Sequence, residues 1–77
     1  MKHFLDFVVR SLVDNPDEVQ ITETSGSGET VYRVSLHPSD VGMVIGKGGR
    51  TIGSIRSLIN AAGKTSDHLA VEVVENS

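Results

Sequence analysis

The chain has 77 residues and no cysteine, and its seven Lys and Arg stand against ten Asp and Glu, for a net charge of −3. A chain of that length forms one domain that buries only roughly 60% of the surface its unfolded form exposes, and without thiols it has neither a disulfide framework nor a thiolate zinc site. His3, His37 and His68 lie more than thirty positions apart, and none makes a ligand-spaced pair on one predicted helix, so no metal or other cofactor is expected.

The first stretch, Met1 to Arg10, starts like a signal peptide, but Asp6 and Arg10 interrupt its apolar run and no small-residue cleavage site follows. No run approaches the roughly 18 apolar residues that cross a bilayer. The expectation is a cytoplasmic protein with no membrane partner. Phe4, Leu5, Val8, Val9, Leu12 and Val13 recur at helical spacing and predict a first helix with all six on a core-facing stripe. Asp14-Asn15-Pro16 ends it, because proline disfavours helical geometry in the residue before it.

Val19 to Thr22 alternates and is rich in β-branched residues, Ser25-Gly26-Ser27-Gly28 interrupts, and Thr30 to Leu36 resumes with Tyr32, Val34 and Leu36 on one side. These runs predict a hairpin. His37-Pro38-Ser39-Asp40 reads as a turn into a helix in which Val41 to Ile45 supplies barely one apolar turn. After Gly46-Lys47-Gly48-Gly49, helical spacing returns at Ile52, Ile55, Leu58, Ile59 and Ala62, with Gly63 placed to cap the second, longer helix. Leu69, Val71 and Val73 then alternate with Ala70, Glu72 and Val74 as a last strand. The order α-β-β-α-α-β predicts an α+β fold, a three-stranded sheet with helices packed on one face and a parallel pairing made by the helical crossover. Strand order stays open, and neither a repeat nor a linker divides residues 1–77.

Charge is unevenly spread. No acidic residue lies between Asp40 and Asp67, while Lys47, Arg50, Arg56 and Lys64 give that segment +4; residues 1–40 carry −4 and residues 67–77 carry −3. A partner bearing phosphates would approach the positive part. Three glycines in the four positions 46–49 let the backbone turn sharply and come close to a ligand. The helix that follows adds the positive end of its dipole, and Lys47 and Arg50 add charge beside it.

Spacing separates the phosphate-binding readings of this loop. A dinucleotide fingerprint needs a third glycine where Thr51 stands, and the loop follows a helix where that motif follows a strand. Gly63-Lys64-Thr65 mimics the end of a P-loop, but Leu58 occupies the place of its first glycine. A helix-GXXG-helix clamp on a single-stranded backbone matches both the tetrad and its flanks.

Val44-Ile45-Gly46-Lys47-Gly48-Gly49-Arg50-Thr51-Ile52 resembles the signature of KH domains, and the element order is similar to their type II form. The resemblance covers nearly the whole chain as a single KH domain and extends to the small stand-alone bacterial KH proteins called KhpA. It implies single-stranded RNA as the partner and a role of the RNA chaperone or post-transcriptional regulator type. Gly46, Lys47, Gly48 and Gly49 would clamp the backbone, with Arg50 beside them, while Val44, Ile45 and Ile52 would line or support the groove for the bases. The family also implies a homodimer, or a heterodimer with a second, Jag-like KH protein.

Arg56 and Lys64 are further candidates for phosphate contact, although a helix surface and a helix C-terminus favour such residues without a ligand. Ile52, Ile55, Leu58 and Ile59 read first as core. Phe4, Phe7 and Tyr32 are the only aromatic residues, and the two phenylalanines are expected on the first helix's core-facing stripe, which leaves no base-stacking platform and predicts an aliphatic, electrostatic binding mode. Ser, His and Asp form no recognisable catalytic motif, so neither an enzyme nor a small-molecule substrate is expected. The rival reading is a protein-docking or dimerisation module with weak or no intrinsic RNA binding.

Overall fold

A computed structural model describes residues 1–63 and 67–76. Helix α1 (Lys2–Leu12) presents Leu5 and Val9, one turn apart, as its fully buried residues. Val8 and Val13 pack partly against the same core, but Phe4 and Leu12 are exposed and Phe7 is 69% exposed. The stripe expected to hold all six is therefore narrower: α1 packs against α2, β1 and the turn that follows it, and both phenylalanines, expected on the core-facing side, stay largely outside that contact. Arg10 fastens the helix end: it pairs with Asp6 at 2.8 Å and donates to Pro16 O and Val19 O across the following 3-10 turn, Pro16–Glu18.

Strands β1 (Gln20–Gly26) and β2 (Glu29–Leu36) form the expected hairpin, antiparallel from Gln20↔Ser35 to Gly26↔Glu29. β1 runs on through Ser25-Gly26, so the turn is only Ser27-Gly28, both at positive φ (53° and 79°), which matches the twist of the flanking strands. A 3-10 turn, Pro38–Asp40, leads into the single-turn helix α2 (Val41–Ile45). A further tight turn, Lys47–Gly49, precedes α3 (Arg50–Ala62). Gly63 does end α3, though at φ −68° and ψ 139° rather than in a left-handed cap. Its lack of a side chain matters for another reason: a Cβ there would lie 2.9 Å from Leu69 Cδ1 and 3.1 Å from Ile59 O.

β3 (His68–Glu75) pairs with β2 in parallel, from Glu29↔His68 to Leu36↔Glu75, giving the order β1-β2-β3. One sheet face, with Ile21, Tyr32, Val34, Leu36, Leu69 and Val71, buries against Val9, Val44, Ile52, Ile55 and Ile59 of the helices. The other carries exposed Thr22, Thr24, Arg33 and Glu72. The Arg33–Glu72 pair at 3.5 Å on that face is exposed and contributes little.

Asp40 is fully buried at the start of α2, and its carboxylate accepts from the Asp14 amide (3.2 Å), the Asn15 amide (3.0 Å) and Asn15 Nδ2 (3.1 Å). Burial pushes its pKa up, but these hydrogen bonds and the charge of His37 outweigh that and hold it below the usual carboxylate value. The residue ties the α1–β1 connection to the helix that carries the glycine loop.

Candidate nucleic-acid interface

The loop is shaped by its glycines. Gly46 closes α2 by donating its N–H to Gly42 O at 2.9 Å, then takes φ 76° and ψ 171°, a region essentially restricted to glycine. A Cβ on Gly46 would strike the Thr51 side chain, lying 2.8 Å from Thr51 Cβ and 2.9 Å from Thr51 N. The Gly49 amide donates to Gly46 O at 3.1 Å and the Arg50 amide to Lys47 O, so residues 46–50 form one tight bend with Gly48 and Gly49 at φ 63° and 78°. No side chain caps the α3 N-terminus, which leaves its positive dipole end to solvent or a ligand.

Lys47, Gly48 and Arg50 are exposed on this bend. Neither Lys47 nor Arg50 has an ion-pair partner among the described residues, whereas Arg10 and Arg33 each have one. Beneath the loop, Val44 and Ile52 are buried core; they support the groove floor and do not line its surface. Ile45 is 36% exposed beside the loop, and Met43, 43% exposed on the same short helix, joins it as an apolar residue that sequence reasoning passed over. Its signal was position: a helix of one turn that buries Val44 and packs Val41 partly against the core leaves Met43 and Ile45 outward. Leu58, read as core, is 47% exposed on α3. Lys64 and Thr65 lie outside the described residues.

Arg56 is placed differently from Lys47 and Arg50. Its Nε and Nη2 both donate to Val71 O of β3, at 3.3 and 2.9 Å. One helical turn on, Asn60 donates from Nδ2 to Leu69 O at 2.8 Å and accepts the Leu69 N–H at Oδ1, 3.1 Å. Two side chains of α3 thus cover the outer edge of β3, which sequence reasoning missed. The signal available was a polar residue four positions after Arg56, on the same helical side.

This pairing fixes the registry of α3 on β3. Asn60 meets Leu69 and Arg56 meets Val71, and four helical residues rise about 6 Å, matching about 6.6 Å for two strand residues. Val73 follows one pleat beyond Val71 on the same edge. Residues 68 and 76 donate to Gly28 O and Leu36 O on the β2 side, so by alternation Val73 turns its amide and carbonyl outward, and no side chain or strand among the described residues pairs with them. A Cβ on Gly53 of α3 would meet nothing within 4 Å. The loop joins α2 to α3, and both helices pack against β3.

Comparison with known proteins identifies the family. The family described as "KhpA/KhpB, KH domain" matches residues 2–74. The chain is 40% identical over 76 residues to the RNA-binding protein KhpA of Chlamydia pneumoniae, covering 97% of each. It is 41% identical over 75 residues to the RNA-binding protein KhpA of Clostridium acetobutylicum, covering 96% of this chain and 100% of that one. Against the RNA-binding protein KhpA of Thermotoga maritima the identity is 39% over 74 residues, 96% of this chain and 99% of that protein. With its mixed sheet of order β1-β2-β3, its glycine loop between α2 and α3, and near full-length similarity to these proteins, the chain belongs to the KhpA/KhpB family of KH domains.

Proposed function

We infer that the chain binds single-stranded RNA, with Gly46–Arg50 holding the sugar–phosphate backbone and the groove between α2, α3 and the β3 edge receiving the bases. The observation that carries this reading is the pair of cations Lys47 and Arg50, without ion-pair partners among the described residues, on a bend that only glycine can make at Gly46. Family membership and the RNA-binding relatives support it. The role that follows is an RNA chaperone or post-transcriptional regulator acting in the cytoplasm by binding rather than by chemistry.

Titrating a fluorescent random single-stranded RNA pool with wild type and with Lys47→Asp/Gly48→Asp tests this. Asp tolerates the left-handed geometry of position 48 better than most residues, and a Cβ there meets nothing within 4 Å, so the variant should keep the wild-type circular dichroism spectrum. Wild type should bind and the folded variant should not. If neither binds at low salt, the chain is a protein-docking module first.

Pairing with a second KH chain, either a copy of itself or a Jag-like partner, is a compatible second reading. Phe7, Leu58 and Met43 leave apolar surface uncovered on three helices. A single KH module holds about four nucleotides, and linking two raises effective affinity without new contacts. Sedimentation of the chain alone and mixed with such a partner measures this.

A further inference from the structure

The sheet has two outer edges, and helix side chains cover only one of them. Arg56 and Asn60 occupy part of β3, while β1 carries no such strap along its length. Gly28 O and Leu36 O accept from the β3 side, so the even-numbered residues of β2 face β3 and the odd-numbered ones face β1. The register from Gln20↔Ser35 to Gly26↔Glu29 then turns the N–H and C=O of Ile21, Glu23 and Ser25 away from the sheet. No backbone or side-chain group among the described residues pairs with these six. The strand, Gln20–Gly26, has neither a proline nor a lysine to guard that edge.

A cavity of about 470 Å³ opens beside the middle rung, at the end of α3 far from the glycine loop. Met1, Ala62, Gly63 and Leu69 form its apolar side, and Glu23 and Tyr32 its polar side. Glu23 and Tyr32 are register partners and so share the core-facing side of the sheet. Tyr32 is 3% exposed, and its hydroxyl has no hydrogen-bond partner among the described residues. No fully enclosed side-chain oxygen or nitrogen there lacks a partner, so the hydroxyl is the part of Tyr32 that reaches the cavity. Burial, and then the Glu23 charge, push Tyr32 above the usual phenol value, which keeps it a neutral hydroxyl able to accept a hydrogen bond. Glu23 is exposed and in no ion pair among the described residues.

We propose that the outer edge of β1 receives an extended basic peptide from a partner protein, which adds as a fourth strand and lays a lysine or arginine over the cavity. The outward rungs supply the backbone hydrogen bonds and the cavity supplies the side-chain selection, the division of labour of strand addition. A residue opposite Glu23 puts its side chain on the same sheet face. There its methylenes cover the apolar wall, and its cation meets the Glu23 carboxylate and the Tyr32 hydroxyl. Charge selects this occupant. Asp17 and Glu18 stand just before β1, and residues 1–40 carry −4, so this side repels a nucleic acid and attracts a cationic chain. Glu23 also acts against a second copy: in a symmetric antiparallel pairing of two β1 strands it lies opposite or diagonal to itself, and like charges across strands destabilise the pair.

The proposal is independent of the RNA-binding reading, whose cations lie at the other end of α3. The probe is the blocked peptide acetyl-Val-Thr-Lys-Thr-Val-amide, titrated to millimolar concentration into the ¹⁵N-labelled chain and followed by amide shifts and hydrogen exchange. The amides of Ile21, Glu23 and Ser25 should shift and gain protection, and those of the glycine loop should not. Norleucine in place of the lysine keeps the stem and removes the charge; that peptide should bind wild type roughly two- to fivefold more weakly, and so should the lysine peptide to Glu23→Gln. Tyr32→Phe, which deletes only the unpartnered hydroxyl, should weaken binding by a similar factor; melting curves check that both variants are folded. N-methylation of the lysine amide, which removes one backbone rung, should abolish binding to unaltered wild type. No shift along β1, equal binding of the lysine and norleucine peptides, or undiminished binding of the N-methyl peptide overturns the proposal. Shifts of the same amides on raising the concentration of the chain alone, or on adding an oligouridine, overturn it in favour of a second copy or of RNA.

Discussion

Gly46 carries more of the loop than its neighbours do. Its backbone sits where side chains are rare, and the space a methyl group would fill is already taken by Thr51. Gly46→Ala is expected to cost about 1–3 kcal/mol from backbone strain alone, seen as a lower melting temperature, and to weaken RNA binding by shifting the loop. Asp40 makes a separate prediction in acid. Its folded pKa is lowered, so the stability it contributes is present above the unfolded carboxylate value, about 3.9, and is lost as pH falls through the folded value. Melting curves against pH should therefore show wild type above Asp40→Asn near neutrality and the two converging below about pH 4. A gap that stays constant down to acid pH would remove the charge from the account.

At the scale of elements, α1 separates burial from hydrophobicity. Leu5→Ala is expected to cost about 2–5 kcal/mol, enough to unfold much of a domain this small, while Phe7→Ser should stay within about 0.5 kcal/mol; urea titrations of the two variants measure the contrast. The element order, the hairpin, the single-turn α2 and the glycine bend were legible in the sequence because each rests on local chemistry: alternation, helical spacing, proline and glycine. Leu5 and Val9 were legible as apolar, but Phe4, Phe7 and Leu12 were not legible as exposed, since an eleven-residue helix shows its period and not the width of its contact. Strand order and the edge straps of Arg56 and Asn60 were out of reach for a related reason. They join residues brought together only by the crossover, and no local pattern encodes which carbonyl a guanidinium will find.

For the molecule as a whole, the net charge of −3 hides a positive loop, and salt should expose it. Roughly two to four neutralised phosphates predict a log–log slope of affinity against salt of about −1.4 to −2.8. A flat slope in such a titration would contradict a backbone clamp.

The parallel pairing of β2 with β3 also governs how the chain reaches this state. Every rung from Glu29↔His68 to Leu36↔Glu75 joins residues about forty positions apart, so the central strand cannot complete its ladder until α2, the glycine bend and α3 have been laid down. Contacts of that span slow folding because loop closure must come before they form. During synthesis at about 5–20 residues per second, the hairpin exists for seconds with one side of its central strand unsheltered. Tyr32, Val34 and Leu36, buried in the finished fold, are bare through that interval, which makes the nascent hairpin the state of this protein most open to aggregation.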